Sequence, residues 1–239
     1  SGPYRFESMN DQAVTLLKKE NWWGDKLAAE VPMLAVYPQK LVYRVVKDEA
    51  AAENMLKTGD LDIVTGLNAA KFIELKSNAA LTEKYDFVNN GSIQYARWIF
   101  NLRSPKLSDV RVRRALAQVV DYDYALKTVL QGMAQGIVGP VNPAKSYYAK
   151  DLKPYAMNIA AARQLLAEAG WADTDGNGVV DKMLGNQKVE MSLDLLAPTT
   201  NKINELMATS LRETALQAGV KINVIGTDIN KITADTKSG

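Results

Sequence analysis

The sequence predicts an α/β protein built from two modules, and three observations carry that prediction. A β-rich run at Leu41–Val46, a helical stretch opening at Asp48 and a second apolar run at Leu61–Val64 form one strand–helix–strand unit. Gln187–Leu196, Asn201–Ala218 and Val220–Ile225 form another. Between them, Ser104-Pro105 breaks an extended segment, because proline lacks an N–H and biases the preceding residue to extended geometry. The modules are expected to meet near residues 99–107.

Taken in order, Tyr4–Glu7 and Ala13–Lys18 flank the polar turn Met9-Asn10-Asp11-Gln12 and read as a β-hairpin. Asn21-Trp22-Trp23-Gly24 reads as a packed aromatic corner, with an exposed binding platform as the alternative. Leu27–Gln39 has two prolines and little periodicity, and is a loop. Asp48 caps a helix through Lys57, with Ala51, Ala52, Met55 and Leu56 inward and Gly59 as its stop. A crossover of this length implies parallel strands on either side of the helix. Asn68 caps a short helix over Ala69–Lys76, and Lys84–Val88 and Ile93–Asn101 read as two more strands.

Ser108 is the expected N-cap of the next helix, with Asp109 complementing its dipole. Val112, Ala115, Leu116 and Val119 fall at i, i+3, i+4 and i+7, one buried face, and Asp121 is placed to cap the helix that follows, over Tyr122–Leu130. Gly132–Tyr148, with two prolines and three glycines, is a loop. Asn158 caps a helix through Ala169, stopped by Gly170. In Gln187–Leu196 the alternation of Val189, Met191, Leu193 and Leu195 marks a half-buried strand. Asn201–Ala218 is a long amphipathic helix ending at Gly219, and Thr227 or Asp228 starts one more.

Composition bounds the chemistry. The chain has 239 residues, 47% apolar, a net charge of +2, no cysteine and no histidine. That size fits one large or two small domains. Without His or Cys there is no ordinary zinc site, no thiol nucleophile and no imidazole acid or base. The small net charge argues against a nucleic-acid binder. Arg111, Arg113 and Arg114 lie at three helical azimuths, so with Arg97 and Arg103 they read as a solvated face rather than a basic stripe. No apolar run approaches the ~20 residues that span a bilayer. The absence of a leader before Ser1 does not make the protein cytoplasmic.

Asp173-Thr174-Asp175-Gly176-Asn177-Gly178 is the sharpest local motif. Asp173, Asp175 and Asn177 take the first, third and fifth places of a calcium loop, and Asp181 the ninth. The twelfth place, normally a bidentate glutamate, is Leu184. The preferred reading is therefore a polar hairpin turn in which Asp and Asn bond their own backbone, with calcium as the alternative. No glycine loop matches a phosphate or dinucleotide fingerprint. A carboxylate pair brought together from distant segments would make a hydrolase, which spacing alone leaves open.

Several stretches together resemble one family. Ser1-Gly2-Pro3-Tyr4 resembles a "GTGPY" strand, and Glu20–Gly24 an "NPDYWG" segment in which Trp22 departs from the proline-acid spacing. The AAENMLKTGDLDI run from Ala51 to Ile63, the DVRVRRALAQVVD run from Asp109 to Asp121, and Gly139-Pro140-Val141-Asn142-Pro143 follow in the family's order. AARQLLAEAGWADTDGNG, residues Ala161–Gly178, closely resembles the family's pattern there. Taken together, the stretches resemble the solute-binding proteins of ATP-binding-cassette importers, in their peptide- and nickel-binding class.

The resemblance implies a two-lobed periplasmic-binding-protein-like fold of type II, with mixed sheets and flanking helices. Residues 1–98 would be part of a discontinuous first lobe and 99–239 most of the second, the chain being a middle-to-late portion of a longer protein. It implies a protein without catalytic residues or cofactor. Such a protein captures a small solute, first a di- or oligopeptide, with nickel chelates and saccharides open, and delivers it to membrane permease subunits. It would act as a monomer, in the periplasm or anchored outside the membrane as a lipoprotein. Trp98, Asn101 and Arg103, at the crossover, are the candidate ligand contacts, with core packing as the competing reading of Trp98. The family's loop at Asp173–Gly178 is usually metal-free.

Overall fold

The computed structural model describes residues 2–46, 48–89, 95–198 and 202–238. The chain divides into two compact units, Ser1–Leu67 with Ala79–Tyr85, and Asn68–Asn78 with Asp86–Gly239.

In the first unit, β1 (Tyr4–Met9), β2 (Ala13–Lys18) and β3 (Lys40–Arg44) form an antiparallel sheet in that order. The expected hairpin is present. Asn10 makes its turn, since Asn10 Oδ1 accepts from the backbone N–H groups of Gln12 at 2.9 Å and Ala13 at 2.8 Å. The loop after β2 is tied back by Lys18, whose Nζ donates to the Val36 carbonyl at 2.8 Å and lies 3.6 Å from Asp25. The tryptophan pair divides: Trp22 is buried and Trp23 is 60% exposed. A Cβ on Gly24 would meet the Trp22 ring at 2.4 Å, so only glycine lets the indole lie against this backbone.

The parallel strand–helix–strand unit expected over residues 41–64 does not form. β3 pairs antiparallel with β2, Leu16 opposite Leu41 and Val14 opposite Tyr43. Leu61–Val64 is not a strand, and Ile63 is 79% exposed. Parallel strands need cover on both faces, and β3 is mostly solvent-facing, so no buried sheet exists there for a further strand to join. The helix between them is as expected: α1 (Glu49–Thr58) is capped by Asp48, whose carboxylate accepts from the Ala51 N–H, and Leu56 is buried on it. Tyr85 closes the unit, its hydroxyl bonding the carbonyls of Leu56 and Leu61, each at 3.0 Å.

Next come α2 (Ala69–Lys76), capped by Asn68 and belonging to the second unit, and the short α3 (Ala79–Thr82). Among the described residues, no strand forms over the ranges expected at Lys84–Val88 and Ile93–Asn101. Residues 86–89 and 95–101 are irregular, and Ile93 lies outside the described residues. An apolar-rich run becomes a strand only beside a ladder partner, and none pairs with these segments among the described residues.

The second unit holds the main core. α4 (Val110–Gln118) buries Val112, Ala115, Leu116 and the following Val119, as its periodicity requires. Its cap is Asp109 rather than Ser108. The Asp109 carboxylate accepts from the Arg111 N–H at 2.8 Å, while the Ser108 hydroxyl turns back to the Pro105 carbonyl. A carboxylate is the stronger acceptor at a helix N-terminus. Asp121 caps the next helical stretch as expected, accepting from the Tyr124 N–H at 2.8 Å, and Tyr124–Val129 winds as a π-helix. Then come α5 (Ile159–Glu168), capped by Asn158, and the hairpin of β4 (Asp181–Leu184) and β5 (Gln187–Glu190).

The strand expected over Gln187–Leu196 breaks in two at Met191, with β6 (Ser192–Ala197) as its second part. The alternation is real, since Met191 is fully buried, but the two halves serve different partners: β5 pairs with β4, and β6 pairs parallel with β7 (Lys221–Gly226). Between β6 and β7 runs α6 (Lys202–Gln217), completing the second strand–helix–strand unit; Asn201 lies outside the described residues. α7 (Ile229–Ser238) follows. Leu107, α4, α5, Trp171, Met191, Ala215, Val220 and Ile222 share one core, with Leu193, Leu195 and Val224 packed on it.

Candidate functional site

All three candidate contacts lie on the irregular segment that leads into α4. Phe100 packs against the core and Leu107 is buried in it, anchoring the segment. Between them the chain turns twice: the Asn101 carbonyl accepts from the Ser104 N–H at 3.1 Å, and the Ser104 carbonyl from the Leu107 N–H at 2.9 Å. Asn101 Oδ1 accepts from the Arg103 N–H at 3.1 Å. That bond engages the amide oxygen and leaves the side-chain NH₂ as a donor. Asn101 and Arg103 are exposed and Trp98 is half-buried.

Sequence reasoning misses the neighbour of this group. The Arg97 guanidinium lies 5.1 Å from the centre of the Tyr95 ring, a cation–π pair just upstream. The i, i+2 spacing in extended backbone is its available signal. Together the segment offers an aromatic surface, an amide donor and guanidinium groups, which suits a solute with carbonyl or carboxylate oxygens. A separate open groove of about 600 Å³ is lined by Asp121, Tyr122, Leu126, Tyr155 and Met157. No motif points to it, because its walls come from stretches distant in sequence.

The Asp173–Asp181 loop is closed by a two-residue bridge, Ala172 and Asp181 exchanging backbone bonds at 3.0 and 2.8 Å. It brings Asp173, Asp175 and Asp181 together, one oxygen from each lying within 4.8 Å of the others. Asn177 is not aimed at that group: its Oδ1 accepts from the Val179 N–H and its NH₂ donates to Glu190. Lys188 enters from β5, with Nζ 2.8 Å from Asp175 Oδ2 and 3.2 Å from Asp181 Oδ2.

The electrostatics follow. The Lys188 ammonium holds the Asp175 carboxyl below its usual range, and Asp175 in turn raises Lys188. Burial pushes Asp181 up, but hydrogen bonds from Thr174 and Lys188 outweigh it and leave the carboxyl below its usual value. A hydrolytic acid pair needs one carboxyl held protonated near neutral pH. These carboxylates are shifted the other way, as is Asp109 beside Arg111.

Comparison with known proteins covers the whole chain. The family described as bacterial extracellular solute-binding proteins, family 5, middle, matches residues 1–239. The oligopeptide-binding protein AppA of Bacillus subtilis is 26% identical over 230 residues, 93% of this chain and 38% of that protein. The nickel-binding periplasmic protein of Escherichia coli is 23% identical over 240 residues, 100% of this chain and 43% of that protein. Among solved structures, NikA from Brucella suis in complex with Fe(III)-EDTA superposes with a TM-score of 0.75 at 19% identity, over 100% of this chain and 45% of that one. The chain thus spans less than half the length of these relatives. The shared architecture is the α/β fold of type II periplasmic binding proteins of the peptide and nickel class.

Proposed function

The chain belongs to the bacterial extracellular solute-binding proteins of family 5, and on that premise we propose that it is part of the solute-capturing component of an ATP-binding-cassette importer. The observation that carries this reading is the family match across all of residues 1–239. The protein takes a small solute, a di- or oligopeptide first, and presents it to a membrane permease from outside the cytoplasmic membrane. It is a binding protein and not an enzyme, and it works as a monomer.

In this reading residues 1–98 contribute to one lobe and 99–239 to the other, and the lobes close on the solute. Closure is favoured only by the extra affinity of the closed state for the ligand. Trp98 stacks on the solute, Asn101 donates its NH₂ to a peptide carbonyl, and Arg103 meets a carboxylate. The oligopeptide-binding relative favours a peptide, and the nickel-binding relative makes a metal chelate the second solute class to test.

The test is titration calorimetry of the complete gene product with di- to pentapeptides, nickel chelates and oligosaccharides. Peptide binding that weakens at least tenfold in Trp98→Ala and Arg103→Ala supports the assignment. Binding of nickel chelates or oligosaccharides alone would move the solute class. No binding to any of the three, or peptide hydrolysis on incubation, would overturn it.

A further inference from the structure

Three carboxylates crowded into one loop repel one another unless donors and a positive charge offset them. Here every one of their oxygens has a partner within the protein. Asp173 accepts from the N–H groups of Gly176 at 2.7 Å and Gly178 at 2.9 Å. Asp175 accepts from the Asn177 N–H at 3.2 Å and from Lys188 at 2.8 Å. Asp181 accepts from the Thr174 hydroxyl through both oxygens and from the Thr174 N–H at 3.0 Å. Its Oδ2 is also 3.2 Å from the Lys188 ammonium.

We propose that Lys188 is the resident counter-ion of the Asp173–Asp181 loop, its ammonium holding Asp175 and Asp181 together so that the loop keeps its shape without a divalent cation. The acidic group is a closed structural turn, not an ion site. Three further features support this. Calcium requires six to eight oxygen ligands, and two of the carboxylate oxygens here, Asp175 Oδ2 and Asp181 Oδ2, already face the Lys188 ammonium at 2.8 and 3.2 Å. The side chain that would extend the ligand set, Asn177, bonds Val179 and Glu190 instead. And the lysine is delivered by rigid structure: in the β4–β5 ladder Asp181 faces Glu190 and Met183 faces Lys188, so Lys188 is the diagonal neighbour of Asp181. Lys188 and Glu190, two apart on β5, grip the loop through Asp175 and Asn177.

The consequence is a loop whose packing is insensitive to external calcium. The experiment compares the full chain with Lys188→Met and Lys188→Arg, by calorimetric melting with and without millimolar calcium chloride and by calcium titration. The wild type and Lys188→Arg are expected to melt alike and to give no calcium heat. Lys188→Met is expected to melt several degrees lower and to regain part of the loss when calcium is added. Lys188→Gln carries the same test if Lys188→Met does not fold. Calcium heat in the wild type overturns the proposal, as does a neutral variant that melts like Lys188→Arg or stays indifferent to calcium.

Discussion

Arg111, near the start of α4, donates through its guanidinium to the backbone carbonyl of Glu168 at the end of α5. The same side chain grips the Asp109 carboxylate, which caps α4. One residue therefore joins a helix N-terminus to the C-terminal carbonyls of its packing partner, where a cation is favoured. Replacing Arg111 with Ala is expected to lower the melting temperature by a few degrees. Arg163→Ala, at an exposed position on α5 whose guanidinium donates to the Gln217 carbonyl, is expected to lower it less. Paired calorimetric scans of the two variants decide this, and an Arg111→Ala scan equal to the wild type would show that the link contributes nothing.

Asp109 also sets a response to acid. Hydrogen bonds from the Arg111 side chain, then from its N–H, hold the carboxyl down at about 2, against an ordinary value of 3.8. A group more acidic when folded contributes stability that is fully present above its unfolded pKa and is lost as pH falls through the folded value. Asp175 and Asp181 are shifted in the same direction. Stability is therefore expected to decline from about pH 4 towards pH 2, with a shallower decline in Asp109→Asn. Urea midpoints measured across that range test it.

The core contacts give the largest effects. Leu166 and Val112 are essentially inaccessible and share one cluster with Trp171 and Met191. Leu166→Ala should cost about 2–5 kcal/mol through lost burial and the cavity left behind. Met33→Ala, at a residue 94% exposed, should stay within about 0.5 kcal/mol. Chemical denaturation of both variants measures the contrast.

Gly219 is required twice over. Its φ is +84°, and an added Cβ would sit 2.8 Å from Val180 Cγ1. Its carbonyl accepts from the Val180 N–H at 2.8 Å, so the approach cannot simply open. Gly219→Ala is expected to destabilise by about 1–3 kcal/mol, the usual cost of a left-handed non-glycine residue, with the contact adding to it. A melting curve equal to that of the wild type would contradict both arguments.

The candidate site is only partly legible in the sequence. Asn101 and Arg103 stand out by their place ahead of the Pro105 break, and the turn that engages Asn101 Oδ1 is local enough to follow from that. The Arg97–Tyr95 pair is signalled only by its i, i+2 spacing, which puts both side chains on one side of an extended segment without saying that they stack. Ser108 and Asp109 both read as N-terminal residues of α4. Asp109 takes the cap because its carboxylate is the stronger acceptor, whereas the tie from Arg111 to Glu168, 57 residues away, has no local signal.

Most helices, and three of their caps, follow from the local order of residues. Asp48, Asn68 and Asn158 cap where expected, and the Val112–Val119 face is buried, because caps and faces depend on neighbours three or four residues away. Which strands form, and what they join, depends on contacts between distant segments. β3 turned to β2 instead of to Leu61–Val64, Met191 divided one alternating run between two partners, and Lys188 came to rest between Asp175 and Asp181. A strand is stable only beside a partner distant in sequence, and a run of apolar residues does not name that partner.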